Sequence, residues 1–139
     1  MSVPADKRTE SKLKVIMLAK DLAAYTLKIT SNSKVFLPEC NDNLTKRIVE
    51  AALNIYLDAW NANDIKVDGS RKRADERLEL QENAIRSCKD LLSLISLAKS
   101  VFHLRSKREE YWCRKTIEVR DKLRKWHESD IERYKDCDA

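Results

Sequence analysis

An all-α chain folded as an up-down-up-down antiparallel four-helix bundle is what this sequence predicts, on three observations. Between Lys12 and Tyr134 it holds one glycine, Gly69, and one proline, Pro38. These residues cost roughly 1 and 3 kcal/mol in a helix interior relative to Ala, so their scarcity leaves the chain free to be helical almost throughout. Apolar residues recur at helical spacing in four segments, about 9–30, 42–64, 71–103 and 106–133. The segments also match in length, the first two at roughly 32 Å and the apolar part of the third at roughly 37 Å, which suits side-by-side packing through short connections.

The first segment carries Leu13, Ile16, Met17, Ala24 and Leu27 at spacings of three, four and seven, and Ser31-Asn32-Ser33 ends it. A linker through Phe36, Pro38 and Cys40 leads to Asn41, Asp42 and Asn43, candidate N-caps for the second helix. There Leu44, Ile48, Ala52, Ile55 and Ala59 form one stripe, widened by Val49, Tyr56 and Trp60. Asp68-Gly69-Ser70 is the clearest turn signal in the chain. The third helix follows with Leu78, Ala84, Ile85, Cys88, Leu91, Leu92, Ile95, Ala98 and Phe102 on its apolar side. Ser106 with Glu109 reads as a capping box opening the fourth, whose buried face is Trp112, Thr116, Val119, Leu123 and Trp126. Apolar residues beyond one stripe, Leu18, Leu22, Tyr25 and Ile29 on the first helix and Leu94 and Leu97 on the third, point to a protein partner, often a second copy of the chain.

Its 139 residues fit a single domain, 1–139, large enough for a core without staples. Cys40, Cys88, Cys113 and Cys137 are far apart and show no zinc-ligand spacing, so reduced thiols, no metal and no cofactor are expected. No apolar run approaches a membrane span, and MSVPADKRTESK lacks the apolar region of a signal peptide, so a cytoplasmic protein is expected. Both charge signs are mixed over a 42% hydrophobic background, the composition of solvated helix faces rather than of disorder. The net charge of +5 is polarised. Lys99 to Lys125 holds ten basic against four acidic residues, whereas the tail from Trp126 carries an acidic excess.

Several pieces of the chain resemble one family. They are the Phe/Pro linker before Leu44-Thr45-Lys46-Arg47-Ile48, the Ala62-Asn63-Asp64 close of the second helix, and Arg77 to Gln81 followed by Ala84, Lys89 and Leu97-Ala98. Leu123-Arg124-Lys125-Trp126 with Ser129-Asp130 completes the set. In this order and spacing the span from about Leu13 to Tyr134 resembles the accessory variability determinant (Avd) proteins of diversity-generating retroelements and the related four-helix-bundle proteins encoded in ribosomal RNA intervening sequences. Two places depart from that pattern: Glu39-Cys40-Asn41-Asp42 stands where the linker is often basic, and Arg124-Lys125 where a small residue is common. The resemblance implies a homopentameric ring that is not itself an enzyme. It would bind RNA, and DNA as well, and partner a reverse transcriptase, assisting mutagenic cDNA synthesis from a template RNA. It also implies a nucleic-acid contact at Arg47 and Lys89, which lie in the matching segments.

The residues themselves offer further contacts. Arg71, Lys72 and Arg73 precede the third helix, Arg105, Lys107 and Arg108 precede the fourth, and Arg114 and Lys115 flank Tyr111 and Trp112. Clustered cations repeated around a ring would neutralise several phosphates at once and give steeply salt-dependent binding. The same charges also serve as solvated helix ends and i,i+4 pairs such as Glu118 with Lys122. Tyr111 is the candidate for stacking on bases, Trp112 belongs to the core stripe, and Trp60 and Trp126 read as core or subunit-interface anchors. His103, near a helix end, caps carbonyls or faces solvent. Two alternatives stand beside the nucleic-acid reading. One is an interaction scaffold that binds no nucleic acid. The other is a ribonuclease of HEPN type using Arg120 and His127, seven residues apart on the fourth helix, as charge stabiliser and general acid or base.

Overall fold

The computed structural model describes residues 5–138, with side chains from Leu13 onward. The sequence reading of the extreme N-terminus therefore lies partly outside the described residues. The chain is all-helical, with four long helices: α1 (Ala5–Thr30), α2 (Lys46–Asp64), α3 (Arg71–Phe102) and α4 (Ser106–Arg133). Helix α1 packs on α2 and α4, and α3 packs on the same two, so the four gather around one core as in a helical bundle. Among the described residues no helix is long and apolar enough to cross a membrane.

The second helix is entered differently from expectation. Asn41, Asp42 and Asn43 make no side-chain cap, because the backbone is already wound before α2 begins. Pro38, with φ preset for a helical start, opens a 3-10 turn, Pro38–Cys40, and one π-helical turn, Asn41–Thr45, runs straight into α2. The Lys46 amide donates to the Asn41 carbonyl, so the first N–H groups of α2 have backbone acceptors and need no cap.

Helix α1 buries a face rotated from the one its period suggested. Val15, Ile16, Ala19, Leu22, Ala23, Thr26 and Ile29 are buried, whereas Leu13, Met17 and Leu27 are 52%, 63% and 46% exposed and Ala24 faces solvent. The buried face combines small Ala19 and Ala23 with Thr26, whose hydroxyl donates to the Leu22 carbonyl (2.8 Å) and accepts the Trp112 indole N–H (3.0 Å). Replacing Thr26 with valine keeps shape and removes the acceptor, leaving a buried indole N–H unpaired. A loss of about 1–3 kcal/mol in urea unfolding is expected, and an unchanged midpoint would refute it.

On α4 the expected stripe, Trp112, Thr116, Val119, Leu123 and Trp126, is buried and extends to Asp130. On α3 the buried line is Ala74, Arg77, Gln81, Ala84, Cys88, Leu91, Ile95, Ala98 and Phe102, while Leu78, Ile85 and Leu92 are only half-buried. Trp60, read as a core or interface anchor, is 49% exposed and so is not core. Phe36 meets Phe102 at a tilt of 53° with centroids 4.9 Å apart and Trp112 edge-on at 6.2 Å, which pins the α1–α2 linker against the end of α3.

Burial pushes the Cys88 thiol up to about 12, with Arg120 and Arg124 offsetting it in part. The native Cys88 thiol is therefore expected to escape iodoacetamide at pH 8 while the partly exposed Cys40 and Cys137 react, with Cys113, whose thiol burial and Glu109 push up, slower than these two; mass spectrometry of the native protein checks the order. The sign of the pH effect follows from linkage. An unfolded thiol titrates near 9.0, so between pH 9 and 12 the native state holds more protons. Stability then falls as pH rises, by up to about 1.4 kcal/mol per pH unit, a slope component that Cys88→Ala removes.

Candidate nucleic-acid interface

The turn between α3 and α4 is built by three conformational choices. Phe102 ends α3 against Phe36, His103 takes the left-handed conformation (φ 55°, ψ 48°) that stops the helix, and Leu104 is buried as a peg. The capping box does not form. The cap position is Arg105, which offers no side-chain acceptor, and the Arg105 carbonyl accepts from the amides of Arg108 and Glu109. Ser106 and Glu109 turn instead to Lys99, whose Nζ lies 3.0 and 3.4 Å from them. The acid nearest the turn is thus neutralised from α3.

The α1–α2 linker approaches this turn, and the two enclose a hollow of about 410 Å³ lined by Asn32, Lys34, His103, Arg105 and Arg108, with Val35, Phe102 and Leu104 as its apolar part. No carboxylate lines it. Among the described residues Lys34, Arg105 and Arg108 take part in no ion pair within 4.0 Å. Lys107 is exposed beside the hollow without lining it.

Arg108, Tyr111 and Lys115 follow one another at three and four residues, hence on one face of α4. Tyr111, 45% exposed, meets Tyr25 of α1 edge-on at 5.1 Å, and the Lys115 ammonium lies 5.3 Å from the Tyr111 ring and 5.9 Å from that of Tyr25. Burial pushes the Tyr25 phenol up, and the charge of Arg108 partly offsets it, which ties this aromatic pair to the hollow. Arg114 is exposed on the same helix, three residues past Tyr111.

The other expected contacts lie elsewhere. Arg71 is committed to structure: it pairs with Asp75 (2.9 Å) and donates to the Tyr134 carbonyl (2.8 Å), while its amide donates to the Asp138 carbonyl (2.6 Å). With Asp138 N–H donating to the Gly69 carbonyl, these bonds tie the C-terminal segment to the α2–α3 turn. That turn carries two left-handed residues, Asp68 and Gly69, and Ser70 then caps α3 by accepting from the Arg73 amide. Arg73 donates to the Lys66 carbonyl and pairs with Asp68, and Lys72 is exposed. Arg47 lines a hollow of about 400 Å³ between α2 and α3 that also holds Glu50 and Asp90, although it makes no ion pair with either within 4.0 Å, and Lys89 is exposed outside it. The ten basic residues therefore do not form one surface. The Arg71 and Arg105 clusters stand at opposite ends of a 32-residue helix, roughly 48 Å apart.

Two features escaped the sequence reading. Lys34 had no local signal: only the meeting of the 31–41 and 103–106 connections at one hollow brings it to the turn. The second is a buried polar network. The Arg77 guanidinium donates to Asp130 Oδ2 (2.8 Å) and to the carbonyls of Ala62 and Ile65, with its plane near the Trp126 and Tyr134 rings at 5.3 and 5.7 Å. Gln81 donates to the same carboxylate oxygen (2.7 Å), and its Oε1 lies 3.0 Å from Nδ1 of His127. Nε2 of His127 is 3.4 Å from Glu82. Arg77 and Gln81 sit on the apolar line of α3 at spacings of three and four, and Asp130 continues that of α4; polar residues in such register are the available signal. Arg120, the proposed partner of His127 in cleavage, bonds its own neighbour Asp121 at 3.2 Å. Among the described residues no group of three or more His, Cys, Asp or Glu is placed to hold a metal. Comparison with family models, curated proteins and solved structures finds no match to this chain.

Proposed function

We propose that this protein is a non-enzymatic nucleic-acid-binding accessory factor whose contact surface is the hollow at the α3–α4 turn with the Tyr111–Lys115 face of α4. The observation that carries the reading is clustered charge: Lys34, Arg105 and Arg108 share one concavity with no acid, whereas the hollow of Arg47 also holds two acids and Arg71 and Arg73 are matched by carboxylates and carbonyls. Cations held without an internal partner favour a polyanion, because binding releases its counterions. Exposed Tyr111 beside Lys115 adds a face for unpaired bases.

Fold and assembly enter the same reading. The helices alternate up and down, and copies gather into a homopentameric ring through apolar residues left in solvent: Leu13, Met17 and Leu27 on α1, Leu57 and Trp60 on α2, Leu97 and Val101 on α3. Such a ring repeats the basic hollow around an axis. The resemblance to Avd proteins supplies the partner, a reverse transcriptase copying a template RNA in the cytoplasm, and with it a supporting role in cDNA synthesis.

The test is fluorescence anisotropy with a structured RNA at 50 and 200 mM salt, alongside light scattering to give the oligomer size. Affinity falling at least tenfold over that interval supports the reading. A monomer that ignores RNA and DNA at 50 mM salt refutes it, and an oligomer that ignores them assigns the protein to scaffolding.

A further inference from the structure

Two polar hollows among the described residues have nearly equal size and opposite electrostatics. Between α2 and α3, Arg47 faces Glu50 and Asp90 across about 400 Å³. At the α3–α4 turn about 410 Å³ is lined by three fixed cations, His103 and Asn32, with no acid. Both volumes lie in the range, about 300–1,000 Å³, that holds small ligands or a single nucleotide-sized group. Three like charges in one concavity repel each other, and among the described residues no acid pairs with any of them. Arg71, Arg73 and Arg77 each donate to backbone carbonyls, whereas the side chains of Lys34, Arg105 and Arg108 make no hydrogen bond among the described residues. The segment is nevertheless held in place. Phe102 and Leu104 are buried, the Asn32 side-chain oxygen accepts the Lys34 amide (3.1 Å), and the Asn32 carbonyl accepts the amides of Val35 and Phe36. The Asn32 amide nitrogen is left as a further donor.

Charge magnitude then selects the ligand. A phosphodiester inside a strand carries one negative charge, whereas a phosphomonoester carries about −1.5 to −2 at pH 7 and offers three strong acceptor oxygens. Arginine forks and an ammonium match that group in charge and in donor number. Arg108 lies in the hollow, and Tyr111 and Lys115 continue from it along α4 for roughly 10 Å, the span of a few nucleotides.

We propose that the hollow of Lys34, Arg105 and Arg108 is a phosphomonoester site that takes the terminal phosphate of a nucleic-acid strand, with the adjoining nucleotides on Tyr111 and Lys115. This rests on the nucleic-acid reading above for the strand, while the phosphate site stands on its own lining. The protein thereby distinguishes strand ends from strand interiors, a property that a diffuse basic surface does not have.

The experiment compares single-stranded RNA 12-mers carrying a 5′-phosphate, a 5′-hydroxyl, a 3′-phosphate or a 3′-hydroxyl, each labelled at the opposite end. Inorganic phosphate is titrated separately while the histidine NMR signals are followed. One phosphorylated end should bind at least tenfold more tightly than its hydroxyl counterpart. Arg105→Ala/Arg108→Ala should abolish that difference, and Arg86→Ala, away from the hollow, should retain it. RNA that binds equally well with and without terminal phosphate overturns the end site and leaves the nucleic-acid reading intact. If RNA fails to bind while phosphate shifts the His103 signal in the parent and not in the double variant, the monoester site holds and the strand is refuted. If neither binds, both are refuted.

Discussion

Replacing Asp130 with alanine is expected to lower the unfolding free energy by about 3–5 kcal/mol, the largest effect of any single substitution outside the apolar core. The Arg77 and Asp130 side chains are 4% and 2% exposed, so the guanidinium left behind cannot regain water without opening the bundle. Gln81 loses its acceptor in the same step, and one nitrogen of Arg77, Nη2, already lacks a hydrogen-bond partner. Its positive charge would then rest on the Trp126 and Tyr134 rings and two carbonyls alone. For a chain of this size the loss corresponds to a melting temperature lower by roughly 10–17 °C. The double change Arg77→Met/Asp130→Leu removes both charges and should cost less than either single alanine substitution, since most of the penalty lies in isolating one buried ion. Urea denaturation of the four proteins decides the matter. A single-variant loss below about 1 kcal/mol, or a double variant no better than the singles, would mean that the pair is solvated.

Removing the charges of Lys34, Arg105 and Arg108 together should act on binding and hardly on folding. Each phosphate charge neutralised on a single strand adds about 0.7 to the exponent of salt dependence, so losing the hold on one terminal phosphate of about two charges lowers the slope of log K against log salt by about 1.4. With the 1 M limit unchanged, affinity at 0.1 M salt then falls on the order of 20-fold. Surface placement of the three side chains keeps the melting temperature within a few degrees of the parent. A slope that stays the same would place the polyanion elsewhere, the exposed Arg114, Lys107 and Lys89 being the next residues to replace.

What could be read in advance divides by physical cause. Helix α4 has one apolar stripe, so its period alone gives the buried face from Trp112 to Trp126. Helix α1 has two stripes of similar apolarity, and the choice between them is made by its neighbours: Trp112 needs Thr26, and close packing needs Ala19 and Ala23. A single helix does not carry that information. The α2 entry was misread because Asn-Asp-Asn signals a cap only where the chain arrives extended, and Pro38 has it arrive wound. Arg77 and Gln81 are polar residues on an apolar line, so residue type points them outward while their register points them inward. In the candidate site, Arg105, Arg108 and Lys115 were legible as clustered charge, and Tyr111 as an exposed aromatic. The bond from Arg71 to the Tyr134 carbonyl, and the linker that brings Lys34 to the turn, depend on tertiary contacts.

The pairing of Asp138 with Gly69 and Arg71 gives the molecule a built-in place for a ruler. Cys137, partly exposed and next to that bond, stands at the far end of α3 from the basic hollow. A dye coupled there, with Cys40 and Cys113 replaced, reports by energy transfer how a labelled oligonucleotide lies along the bundle, and its tether leaves the hollow clear.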